Sequence, residues 1–172
     1  MIDDAHYLSI AELARLLAAR KLSPVELTEA MLRRIERVDP ALNSYALVTP
    51  ELALAQARAA EQMIGRRQIL SQLHGVPIAV KDLCWTEGFA TAAGMPLHRD
   101  FIPSVDATVV RKLREAGVVL LGKLQLTEGA FADHHPDVEA PLNPWHRDHW
   151  SGASSSGSGA VSYTHLTLPT KA

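Results

Sequence analysis

Two short apolar runs constrain the fold more than any other feature of this chain. VPIAV at 76–80 and VVLLG at 118–122 are rich in β-branched and aliphatic residues and too short to be helices. Runs of this kind read as strands buried on both faces. Between them, Asp106-Ala107-Thr108 reads as the cap of a helix carrying Val109, Val110, Leu113 and Ala116, with Gly117 as its stop. Strand, helix and strand in that order predict an α/β layer with parallel pairing. The pairing order stays open.

The chain before the first run predicts helices. Ser9 and Glu12 have capping-box spacing ahead of Leu13, Leu16 and Leu17. Ser23-Pro24-Val25-Glu26 combines a serine cap, proline at the first helical position and glutamate at the third. Leu27, Met31, Ile35 and Val38 then mark one face, and Asp39-Pro40 ends the helix. A third helix is expected from Thr49-Pro50 to about Gly65. After Gly122 the reading is loop, through Pro136, Pro141, Asn143-Pro144 and the Ser/Gly run at 151–159.

Composition narrows the partners. The 172 residues are 47% hydrophobic and 21% charged, with a formal net charge of −2. That fits a globular domain and offers no basic field for nucleic acid or anionic membrane. No apolar run is long enough to span a bilayer, and MIDDAHYLSI lacks the pattern of a signal peptide. Cys84 is the single cysteine, so no intramolecular disulfide forms. A cytoplasmic protein is expected.

Two features can carry chemistry. Lys81 closes the VPIAV run, with Asp82 next. A lysine in water titrates near 10.4 and is no base at neutrality, but desolvation disfavours its charged form. Against that stands an ordinary strand-end lysine that snorkels to solvent. The second feature is SGASSSGSG at 151–159. Its small residues allow close backbone approach, its N–H groups can hold an anion, and its hydroxyls can relay protons beside a base. By composition alone a flexible linker is the simpler reading.

Taken in order, HGVPIAVKD (74–82), DATVVRKLREAGVVLLGK (106–123) and PLNPW (141–145) before SGASSSGSGAV (151–161) resemble the amidase signature family. The likeness extends over residues 7–161 and includes SPVELTEAMLRRIERVDPALNSY. It implies a mixed α/β sheet covered by helices, and a Ser–cis-Ser–Lys acyl-enzyme mechanism cleaving a carbon–nitrogen bond of a linear amide. The family lysine falls on Lys81. In the serine loop, Gly152 and Ala153 take glycine places, Ser154 takes the relay serine, Ser155 is its neighbour, and Ser156 stands where a glycine is usual, ahead of Gly157. The resemblance implies no cofactor and no metal. The expected partner is a small-molecule amide, with no nucleic acid bound directly, no membrane, and homodimerisation left open.

The chain also departs from the family. The family nucleophile lies in a second glycine-rich motif beyond the relay serine. Ser162, Thr164, Thr167 and Thr170 have no such context, so none is assigned as nucleophile. Residues 1–161 are therefore expected to be the N-terminal part of an amidase signature domain, inactive alone, and 162–172 a non-family tail. Two alternatives remain: an A-type subunit of a glutamine-dependent tRNA amidotransferase, or a non-catalytic scaffold. Leu124 and Gln125 in GKLQLTEGA replace the T-N of the amidotransferase branch, which favours a stand-alone amidase.

Other residues carry weaker expectations. Asp133, His134, His135, Asp137, His146 and His149 could offer metal ligands, but a polar loop is the simpler reading. Cys84 reads as a small buried hydrophobe. Asp82 either bonds the loop near Lys81 or is an exposed acid. Asn143-Pro144-Trp145 reads as a turn with a packed aromatic, and the arginines of RRIER as a solvated helix face.

Overall fold

The computed structural model of the chain describes residues 4–162. Helices α1 (Ile10–Ala18), α2 (Pro24–Val38) and α3 (Pro50–Gly65) form the N-terminal half. Their starts follow the sequence signals. Ser9 and Glu12 close a reciprocal capping box on α1, and the Ser23 hydroxyl accepts from the Val25 and Glu26 N–H groups at the head of α2. α2 ends where Asp39 turns back: its carboxylate accepts the Ser44 N–H at 2.9 Å and the Tyr45 N–H at 3.2 Å.

Asp39 thereby launches a strand, β1 (Tyr45–Val48), in a stretch where the sequence reading placed none. Four residues between two strong helices are too few for a periodic signal. β1 becomes a strand through tertiary pairing, running antiparallel to β3 (Val119–Leu124). On the other side of β3 lies β2 (Pro77–Lys81), parallel to it, so the order is β1-β3-β2. The expected parallel pair is present, joined through α4 (Thr108–Glu115), with each strand extending past the end of its apolar run.

β3 is buried along its whole length, as a central strand should be. Leu13, Leu17, Leu27, Met31, Ala53 and Ala57 from the helices meet Val76, Val119 and Leu121 in one core. Where the β2–β3 register shifts between Ile78 and Ala79, Gln56 of α3 accepts the Leu120 N–H at 2.8 Å. Among the described residues no helix is long and apolar enough to cross a membrane.

Two local expectations are corrected. Asp106 does not cap α4. The cap position is Ala107, without a side-chain bond, while Asp106 accepts the Glu87 N–H at 2.8 Å and pairs with Arg114 at 3.0 Å. The Ser/Gly run is not loop throughout: its second half forms α5 (Ser156–Ser162). Serine and glycine are poor helix formers, so packing rather than propensity makes this helix.

Candidate active site

The site is assembled on the C-terminal end of β3 and the residues just beyond it. Lys81, the last residue of β2, lies opposite Leu124 in the parallel ladder, and the Asp82 N–H donates to the Leu124 carbonyl at 2.9 Å. The serine segment docks on the same stretch. Gly157 N–H donates to the Gln125 carbonyl at 3.0 Å, and Thr127 N–H to the Ser154 carbonyl at 3.1 Å. Gly157 must be glycine there, because a Cβ would sit 2.6 Å from the Gln125 nitrogen and 2.8 Å from its carbonyl oxygen. Backbone groups of 124–127 thus hold the strand from one side and the serine segment from the other.

The result is a direct contact across 73 positions of sequence: Lys81 Nζ donates to Ser154 Oγ at 2.7 Å. Both residues are part-buried. The peptide bond between Ala153 and Ser154 is cis, and Gly152 has φ +100°. Ala153 is exposed, Ser155 is half-buried, and Ser156 and Gly157 are buried under the platform. The Ser156 Oγ is enclosed, with no hydrogen-bond partner among the described residues. Ser162, at the end of α5, donates its hydroxyl to the Ser158 carbonyl at 2.6 Å. Thr164, Thr167 and Thr170 lie outside the described residues.

Beneath Lys81 sits a pair that the sequence reading missed. Lys123 of β3 is fully buried, and its Nζ lies 2.9 Å from Asp82 Oδ1. It also donates to Thr91 Oγ1 at 2.7 Å and to the Ala90 carbonyl at 3.3 Å. Asp82, open in the sequence between loop partner and exposed acid, is buried; its Oδ2 accepts the Ala92 N–H at 2.9 Å. The signal was present as a second lysine ending a wholly apolar run on the neighbouring strand. The 90–94 loop closes the corner, since Gly94, at φ +70°, lies so near the chain that a Cβ would meet the Leu126 carbonyl oxygen at 2.7 Å.

Cys84 is half-buried, and burial pushes its thiol pKa up against the opposing pull of Lys123 and Lys81. That disfavours thiolate and argues against a nucleophile. Among the described residues no group of three or more His, Cys, Asp or Glu converges as metal ligands. His135 Nδ1 accepts the Asp137 N–H at 3.1 Å, His146 Nδ1 accepts the Asp148 N–H at 3.3 Å, and His149 stacks edge-on against His146. Asn143 makes the expected turn, accepting the Trp145 N–H at 2.9 Å, but Trp145 is 77% exposed rather than packed. In RRIER, Arg33 and Arg37 are exposed and Arg34 half-buried. A mostly apolar cavity of about 270 Å³ between Leu13, Met31, Ile78, Leu124 and Val161 is lined by neither Lys81 nor Ser154.

Comparison with known proteins places the chain in a family. "Putative amidase AmiD" of Mycobacterium tuberculosis is 54% identical over 164 residues, covering 95% of this chain and 34% of that protein. The A-type subunit of the glutamyl-tRNA(Gln) amidotransferase of Methylococcus capsulatus is 45% identical over 158 residues, 91% of this chain and 32% of its own length. The native peptide amidase of Stenotrophomonas maltophilia superposes with a TM-score of 0.84 at 31% identity, over 92% of this chain and 34% of that one. The chain therefore spans about a third of the length of the relatives it matches. The amidase family model matches residues 26–163, most of the sequence, and the chain belongs to that family.

Proposed function

We propose that this chain carries the lysine and the relay serine of an amide-hydrolysing enzyme that cleaves carbon–nitrogen bonds through an acyl-enzyme. The observation that carries this reading is the 2.7 Å contact between Lys81 Nζ and Ser154 Oγ. Neutral Lys81 takes the Ser154 proton along that contact. Ser154 in turn takes the proton of a nucleophilic serine as it attacks the amide carbonyl, and the relay returns a proton to the leaving amine. Backbone N–H groups hold the tetrahedral oxyanion. No residue among those described is assigned as the nucleophile. Lysine suits the part because its protonation can be tuned, whereas arginine stays charged.

The substrate is a linear amide. Family membership and the relatives named for amidase activity support the reading. The amidotransferase component is the second reading, favoured by the 45% identical relative. Against it stand the higher identity to the amidase and the Leu124-Gln125 pair in place of T-N.

The test is ammonia release from linear amides by a protein of the relatives' length that carries this segment. Lys81→Met and Ser154→Ala should each lower kcat/KM by about 10²–10⁴-fold, the worth of a positioned acid–base group. Full turnover with methionine at 81 would falsify the reading. Turnover only of glutamine, and only with partner subunits, would select the amidotransferase.

A further inference from the structure

A fully buried ion pair is poor evidence of stabilisation in itself. The desolvation of both charges commonly offsets their attraction, and an apolar pair of the same volume often serves as well. Lys123 and Asp82 are such a pair, with side chains 0% and 3% exposed. Their position suggests another role. Asp82 follows Lys81 directly, and consecutive side chains of extended backbone leave on opposite faces. Lys81 turns to Ser154 while Asp82 turns to Lys123.

We propose that Asp82 and Lys123 are a positioning pair for Lys81: Lys123 holds the neighbouring carboxylate away from the Lys81 amine, so that among the described residues the amine faces a hydroxyl alone. The inference rests on the reading of Lys81 as proton acceptor. A free carboxylate one residue away would favour the ammonium, which has no lone pair to accept a proton. Lys123 prevents this by pairing its ammonium with Asp82 Oδ1 at 2.9 Å, an ion-pair contact, while it donates hydrogen bonds to Thr91 Oγ1 and the Ala90 carbonyl. The second carboxylate oxygen is held by the Ala92 N–H. The Asp82 backbone is fixed as well, donating to the Leu124 carbonyl at 2.9 Å and accepting the Ala93 N–H at 3.2 Å. Cys84 completes the titratable groups of this corner, lying within Coulombic reach of Lys81, Asp82 and Lys123. The serine segment, SGASSSGSG, brings no acidic or basic side chain.

The pair is therefore electrically neutral toward Lys81 only while both members are present, and this predicts opposite signs for the two single variants. The experiment is competitive acylation of the folded 172-residue chain with a trace amine reagent across pH, each lysine read by mass spectrometry. Lys123→Met should move the Lys81 labelling midpoint up by about one pH unit, tenfold in reactivity at fixed pH. Asp82→Asn, which leaves Lys123 its Thr91 and Ala90 acceptors, should move it down. The double variant should return to within about half a unit of the parent, with exposed Lys112 unchanged throughout as the control.

A Lys81 profile that does not move, or that moves the same way in both single variants as general loosening would cause, overturns the proposal. Should Lys123→Met fail to fold, Asp82→Asn decides alone, and an unmoved or raised midpoint overturns it. Failure of the functional reading is separable: turnover would survive Lys81→Met in the relatives'-length protein while the opposite shifts were still seen here.

Discussion

The ends of β2 and β3 look alike in sequence and differ in chemistry. Each closes a buried apolar run with a lysine, and the two strands are parallel neighbours. Lys123 has a carboxylate, a hydroxyl and a carbonyl around its amine and no exposed surface. Lys81 has one serine hydroxyl at 2.7 Å and remains part-buried. The first environment holds the ammonium by one ion pair and two hydrogen bonds. Among the described residues the second leaves the nitrogen one partner, itself able to donate or accept. What a strand-end lysine does is thus set by the acceptors that the fold brings to it.

The sharpest way to break this comparison is to remove each amine in turn. Lys123→Met strands a buried carboxylate and should cost about 3–5 kcal/mol of stability, read from urea unfolding. Lys81→Met loses one hydrogen bond from a part-buried site and should cost no more than about 1 kcal/mol. Equal losses at the two positions would show that they are one structural cluster with no division of labour.

That contrast also marks how far the sequence could be read. The helices were legible because their signals are local: Ser9 with Glu12, Ser23 with Pro24, and Pro50 open them where expected. The parallel β2–β3 pair followed from two apolar runs around a helix. Lys81 and Ser154 were singled out by motif, yet only the fold supplies their contact. β1 was not legible, and of the Asp82–Lys123 pair only the second strand-end lysine was, because both depend on pairing between distant segments. α5 was hidden for the opposite reason. Its composition argues against a helix, and Gly157 is there for the backbone contact it permits, not for helix propensity.

The next test moves the serine segment rather than the lysine. Gly157→Ala would press a methyl group into the Gln125 backbone, where no flexible side chain can yield. Overpacking of this kind typically costs about 1–3 kcal/mol. Because Gly157 anchors the segment that carries Ser154, the substitution should also separate Ser154 from Lys81. Labelling of Lys81 should then approach that of exposed Lys112, while the Asp82–Lys123 pair stays intact. Unchanged Lys81 labelling alongside lowered stability would show that the contact does not depend on this docking.

The opposite end of the strand pair offers a pH-dependent counterpart. His74, buried beside the start of β2, accepts the Leu70 N–H on Nδ1 at 3.1 Å, a bond that only the neutral ring can make. Burial holds its pKa below the ordinary imidazole value of 6.5. The unfolded chain therefore binds a proton that the folded chain resists. Stability is complete above about pH 6.5 and declines as the pH falls toward the folded value. His134, also lowered by burial, acts with the same sign. Urea midpoints should drop between about pH 7 and 5.5, and His74→Gln, which keeps an acceptor, should flatten part of that slope. A slope abolished by Asp82→Asn and untouched by His74→Gln would shift the pH sensitivity to the lysine end and undo the distinction.

The smallest effect is expected at Ser156, and its sign is informative. Its hydroxyl is buried under the platform with no hydrogen-bond partner among the described residues, two residues from Ser154, whose hydroxyl has one. An enclosed, unsatisfied hydroxyl destabilises the fold, and alanine is a better helix former than serine by a few tenths of a kcal/mol. Ser156→Ala should therefore stabilise the chain by about 0.5–1 kcal/mol and leave Lys81 labelling where it is. Ser156→Gly removes the same hydroxyl but adds backbone freedom at the start of α5, so it should give back most of that gain. If alanine destabilises instead, the Ser156 hydroxyl has a partner in solution. The serine segment would then hold two working hydroxyls rather than one.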